Sequence, residues 1–143
     1  MREADLCGDC TFFKPPARDY NNLPRYSLSD MADSERLQQI SFPIERGICE
    51  IDQSLGFEMR DAQVIEIFEL FLDRYAFDDP PESLAERIRA LHCEKLAEQL
   101  ERDLKPNLEE ELVKILGSVR ASARRRAGYG RNHLDHLQAF IRG

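Results

Sequence analysis

The residues of this 143-residue chain best suited to chemistry are its four cysteines, Cys7, Cys10, Cys49 and Cys93. Cys7-Gly8-Asp9-Cys10 sets two sulfurs close enough to ligate one metal centre, and Gly8 permits the tight turn that aims amide N–H groups at thiolates. The competing use of C-x-x-C is a thioredoxin-type redox pair, which expects a strand before the motif and a βαβ pattern around it. Here the motif starts at residue 7 and runs into Phe12-Phe13-Lys14-Pro15-Pro16, which favours metal binding over redox catalysis. Cys49, in Arg46-Gly47-Ile48-Cys49, and Cys93 complete a spacing of C-x2-C-x38-C-x43-C. Structural zinc sites usually join one short knuckle to a second, a habit that two isolated cysteines match poorly. A cubane iron–sulfur cluster takes one thiolate on each of four irons, so distant single cysteines can each hold a corner. Zinc binding and four unlinked thiols stay open as alternatives. In a metal site Phe12 and Phe13 would exclude water; without one they are ordinary core residues.

Cys7-Gly8-Asp9-Cys10-Thr11-Phe12-Phe13, then Gly47-Ile48-Cys49, then the isolated Cys93 form an arrangement that resembles small iron–sulfur subunits. These are the high-potential-type cluster modules that accompany glycyl-radical enzymes such as arylacetate decarboxylases and benzylsuccinate synthase. The resemblance covers the first third of the chain and one residue beyond. It implies one 4Fe-4S cluster bound by Cys7, Cys10, Cys49 and Cys93, in an accessory subunit that docks on a larger enzyme. The chain departs from those subunits in its long intervals between cysteines and its large helical C-terminal half.

Other residues carry weaker signals. His92 adjoins Cys93, but helix neighbours point about 100° apart and would not share a metal easily. His133 and His136 have a spacing that can hold a metal, yet no third ligand is near in sequence, so an ordinary polar face is the expectation. Glu66, Glu69 and Asp73 share a helix face and, without a Glu-x-x-His motif, read as a solvated acidic stripe. No phosphate-binding glycine loop and no local signature of a Ser-His-Asp set occurs. Arg120, Arg124, Arg125, Arg126 and Arg131 make a cationic patch beside Tyr129. Guanidinium pairs with carboxylates in a planar, bidentate fashion, so docking onto an acidic partner, or onto the chain's own acidic face, is favoured over nucleic-acid contact.

The elements that must position these residues are helical. From Asp61 to about Phe77, Val64, Ile67, Phe68, Phe71 and Tyr75 recur at helical spacing, and Ile65, Leu70 and Leu72 widen the apolar arc. Asp79-Pro80-Pro81-Glu82 predicts a capped start for a helix that runs to about Leu104 and stops before Pro106. Along it Leu84, Ile88 and Leu91 share one face, whereas Cys93, Leu96 and Leu100 share roughly the opposite one, so the helix changes partners midway. Asn107-Leu108-Glu109-Glu110 repeats the capping logic, Gly128-Tyr129-Gly130 breaks the chain, and Asn132 caps a short last helix. Ser29 to Ile40 suits one more helix, Phe42 to Ile51 short extended segments, and Pro15-Pro16 and Asn21-Asn22-Leu23-Pro24 loops.

Charge divides the chain in the same way. Residues 1–116 carry 14 basic and 26 acidic side chains, whereas 117–143 carry six Arg and one Asp. The overall charge of −7 opposes nonspecific polyanion binding by the whole molecule. No run approaches the roughly 20 apolar residues of a membrane-spanning helix, and Met1-Arg2-Glu3-Ala4-Asp5 does not open a secretory signal. The expectation is therefore a cytoplasmic, mainly α protein with reduced cysteines. Its loop-rich, cysteine-bearing residues 1–60 would pack on a bundle of about four helices in 61–143, as one cooperative domain. Functionally this predicts a non-catalytic iron–sulfur accessory subunit, structural or electron-transferring. The alternative is a zinc-stabilised or metal-free helical adaptor or regulator that contacts nucleic acid through its arginine segment.

Overall fold

A computed structural model describes residues 18–126 and 130–142, and within them seven α-helices and no strand. A short 3-10 turn at Tyr20–Asn22 leads to α1 (Leu28–Asp33) and α2 (Glu35–Ser54). Then come α3 (Asp61–Tyr75), α4 (Pro81–Ala90), α5 (Glu94–Gln99), α6 (Lys105–Arg126) and α7 (Asn132–Arg142). The architecture is the expected mainly α bundle. Cys7, Cys10, Phe12, Phe13, Gly128 and Tyr129 lie outside the described residues.

Helix α2 replaces the extended segments anticipated for Phe42 to Ile51. Ser27 and Ser34 divide the front into two capped helices, Ser27 accepting from Asp30 N and Ser34 from Leu37 N. From there Leu37, Ile40, Ile44, Ile48 and Ile51 form one buried stripe at helical spacing. Pro43 lies inside this helix and removes one backbone donor. It is only half-buried, and the burial of four isoleucines outweighs both that loss and the β-branched preference for strands.

The long helix anticipated from 79 to 104 is instead broken. Asp79 caps nothing; Pro80 is the cap residue and Pro81 opens α4. After Ala90 the chain turns through Leu91, His92 and Cys93, with His92 at φ 59° in the left-handed region. The anticipated change of partners is thus achieved by a turn rather than by one continuous helix. Leu84 on α4 and Leu96 and Leu100 beyond the turn all reach the core. A π-helical turn at Leu100–Leu104 then passes directly into α6. Pro106 does not stop the chain there, because in the first turn of a helix its missing N–H has little to lose.

One continuous core joins front and back, from Leu37 to Leu137. Val64, Ile67, Phe68, Leu70, Phe71 and Leu72 make α3 its central element, and α3 packs most extensively on α6 through Leu112, Ile115 and Leu116. Gly47 marks the crossing of α2 and α5, where a Cβ would stand 2.7 Å from Leu96 Cδ1. Helix α7 docks on α2, and its N-terminus is capped from another element: Asp61 accepts from His133 N at 2.8 Å and from Leu134 N at 3.0 Å. Asn132 is therefore the first helical residue and not the cap, because a buried carboxylate satisfies two orphan amides that a local side chain would otherwise have to reach.

Candidate functional site

Cys49 and Cys93 are core residues, 1% and 0% exposed. Burial pushes the Cys93 thiol up to about 12, and its sulfur lies 3.7 Å from the Ile88 carbonyl, which accepts from it across the α4–α5 turn. In this packing Cys93 is a protonated, hydrogen-bonded core thiol. Cys49 follows Gly47 by two positions, about 200° around α2, so it leaves the helix on the side away from Leu96 and α5. Its carbonyl accepts from Gln138 of α7 at 3.2 Å. Among the described residues no three His, Cys, Asp or Glu side chains gather as a metal-binding group. Of the four-cysteine set, Cys49 and Cys93 are the two within the described residues, and both are core thiols there.

The segment that follows the C-x-x-C motif is fixed at its far end. Arg18 donates to Asp73 at 3.0 Å and to both oxygens of Asp79 at 3.0 Å, and its guanidinium stacks 4.6 Å over Phe77. Tyr20 donates to the same Asp73 at 2.8 Å, and Arg87 to its other oxygen at 2.9 Å. Burial and the adjoining Asp73 together raise the Tyr20 hydroxyl. Arg87 also acts electrostatically on the Cys93 thiol, so the anchorage of Arg18 lies near the α4–α5 turn. The acidic stripe on α3 is therefore not solvated. Asp73 is buried in this clamp, Glu69 binds Arg120, and only Glu66 faces water.

The five arginines divide into two groups. Arg120 is buried, donates to Glu69 at 2.9 Å and to Asn21 at 2.9 Å, and lies 5.0 Å over the Tyr20 ring. Arg131 grips Asp52 with both terminal nitrogens, at 2.7 and 2.9 Å, and reaches the Met59 carbonyl at 2.9 Å. Burial pushes the Asp52 carboxyl up, but hydrogen bonds from Arg131 and Gln138 outweigh it and hold it below the usual range. Arg124, Arg125 and Arg126 remain exposed, and among the described residues they bond Asn21, Ser122 and His133 respectively.

His133 and His136 do not face one site. His133 is buried, and burial with the nearby Arg126 lowers it to about 4, so it is neutral at pH 7. His136 is exposed and lines a cleft with Arg126 and Glu45. His92 is exposed on the turn, whereas Cys93 points inward. Sequence reasoning passed over Asp52, Asp61, Arg18 and Glu45. A signal for Asp52 was available, since it lies four residues after Ile48 and eight after Ile44, on the apolar stripe itself. No protein-family model, curated protein or solved structure matches the chain.

Proposed function

We propose that this chain is a non-catalytic accessory protein, a helical bundle that docks on a larger protein and carries a metal centre on its Cys7/Cys10 pair. The metal is an iron–sulfur cluster, with a structural or electron-transferring role. On the same proposal it works in the cytoplasm, where thiols stay reduced. The supporting observation is the Arg18 clamp. Cys10 precedes Arg18 by eight residues, a span of at most roughly 28 Å, and Arg18 is tied through Asp73 to Arg87 near Cys93. A centre on Cys7 and Cys10 is thus tethered to the end of the bundle that holds Cys93. Cys93 is the third ligand of this reading and requires the α4–α5 turn to open. Cys49, also buried in the core, is the fourth cysteine of the set.

The second reading, a zinc-stabilised or metal-free helical adaptor, is favoured by the packing of Cys49 and Cys93 as core thiols. Its contact with nucleic acid would fall to Arg124, Arg125 and Arg126, because Arg120 and Arg131 already hold carboxylates. On either reading docking uses these exposed arginines against an acidic surface of the larger partner.

Iron, sulfide and zinc analysis of protein purified without oxygen separates the two readings. About four irons per chain, lost on Cys7→Ala or Cys10→Ala and retained on Cys49→Ala, is the expected result. One zinc, or no metal after reconstitution with iron and sulfide, overturns the cluster. Cys93→Ala decides the third ligand: iron loss makes it one, whereas full iron with a stability change of roughly 1 kcal/mol makes it core.

A further inference from the structure

A cleft of about 220 Å³ opens between α1 and α2 on one side and α6 and α7 on the other. Two charges of opposite sign line it, Glu45 from α2 and Arg126 at the end of α6. They feel each other electrostatically, yet no ion pair joins them. Glu45 is largely withdrawn from water and accepts no hydrogen bond from any described residue. Its desolvation is strong enough to raise the carboxyl to about 6. Such a group costs the fold stability and returns none through contacts of its own. Arg126 is held in place by a 3.4 Å contact with the neutral His133. His136 stands beside it as a second donor on an exposed turn of α7.

Met31, Leu137 and Phe140 supply the apolar wall. Phe140 is 60% exposed and packs edge to face on Phe42, itself 39% exposed, at 6.5 Å. Ala32 and Val119 extend that wall, and Ser41, Ser118 and Gln38 add hydroxyl and amide groups. A cleft of this volume lies below the roughly 300–1,000 Å³ of pockets for drug-sized molecules, so its ligand is small. A lone anion would leave the half-buried Glu45 unpaired, whereas a ligand carrying both charges uses Glu45 and the exposed Arg126 together.

We propose that this cleft binds a small zwitterion, an α-amino acid with an apolar side chain. Its ammonium pairs with Glu45, its carboxylate with Arg126 and His136, and its side chain rests on Met31, Leu137 and Phe140. The charges leave only this orientation, because reversal would set carboxylate against carboxylate.

Isothermal titration and thermal unfolding of the full chain with L-leucine, L-methionine and L-phenylalanine test the proposal. Leucinamide, which lacks the carboxylate, and 4-methylpentanoate, which lacks the ammonium, serve as half-ligands at matched ionic strength. Expected are saturable binding and a raised Tm with at least one amino acid, and each half-ligand at least tenfold weaker. Glu45→Gln should then abolish amino-acid binding while sparing 4-methylpentanoate, and Arg126→Gln should spare leucinamide. Glu45→Gln removes a desolvated charge and keeps the side-chain shape, so it should fold at least as well as the parent. Should either variant fail to fold, amide and methyl shifts of Met31 and Leu137 in the parent protein report binding directly. No saturable response to any of the three amino acids, or equal affinity for leucine and leucinamide, overturns the proposal.

Discussion

His133 and Glu45 give this protein opposed responses to acid. His133 is neutral when folded and titrates near 4, whereas an unfolded histidine titrates near 6.5. Its contribution is therefore complete above pH 6.5 and is lost as pH falls toward 4, about 2 kcal/mol of it between pH 7 and 5. Glu45 runs the other way. Its folded value of about 6 exceeds the usual 4.5, so the half-buried carboxylate burdens the fold above pH 6 and is relieved below it. That relief amounts to about 1 kcal/mol over the same interval. Urea midpoints at pH 7 and 5 should show a steeper acid loss in Glu45→Gln than in the parent, and a shallower one in His133→Gln. Parallel profiles in all three proteins would contradict the assignment. Asp61→Ala belongs to the same scale. It removes a two-amide cap inside the protein and should cost about 2 kcal/mol, with faster hydrogen exchange at His133 and Leu134.

At the scale of elements the crossing of α2 and α5 is the tightest constraint. Replacing Gly47 by Ala gains helix propensity of about 1 kcal/mol. The new methyl meets Leu96 at Cδ1, Cδ2 and Cγ, so a simple rotamer change of that buried residue does not clear it. Overpacking of this kind costs about 1–3 kcal/mol, and Gly47→Ala should be net destabilising. In a Leu96→Ala background the clash is gone and the same change should stabilise. A double-mutant cycle by urea unfolding reads this reversal of sign. Glycine in G-x-C is thus required by helix packing whether or not Cys49 ever meets a metal. The break at His92 shows a related compromise: its left-handed φ is unfavourable for a non-glycine residue, and it lets Leu84 and Leu96 enter one core from two helices.

For the whole molecule, buried carboxylates act as fasteners between distant parts of the chain. Asp73 fixes the segment at Arg18, Asp61 fixes the start of α7, and Asp52 joins α2 to Arg131 and Gln138. The Asp52 side chain is fully buried, and Arg131 is 24% exposed. Arg131→Met should cost about 3 kcal/mol, because it leaves an uncompensated buried charge. Asp52→Asn in the same background should recover part of that loss. Equal stability of the single and double variants would show that the carboxylate is not buried as described. The exposed pair of Arg36 and Glu111 should respond to added salt, whereas the Asp52 clamp should not.

Apolar periodicity alone determined the mainly α class and the helix that begins at Asp61, since i, i+3 and i+4 spacing leaves few other ways to bury Val64, Ile67, Phe68 and Phe71, whereas the turn at His92 that splits the stretch from 79 to 104 came only with the tertiary structure. The same periodicity was present in Ile40, Ile44, Ile48 and Ile51. Pro43 and the β-branched run obscured it, because local propensity competes with burial and only tertiary packing settles the balance. Sequence spacing likewise offered the four cysteines as one set and the five arginines as one patch. Only the folded chain gives their surroundings, burying Cys49 and Cys93 in the core and committing Arg120 and Arg131 to Glu69 and Asp52. Which element a helix face meets, and the charge that distant segments bring to it, are properties of packing that no spacing along the chain encodes.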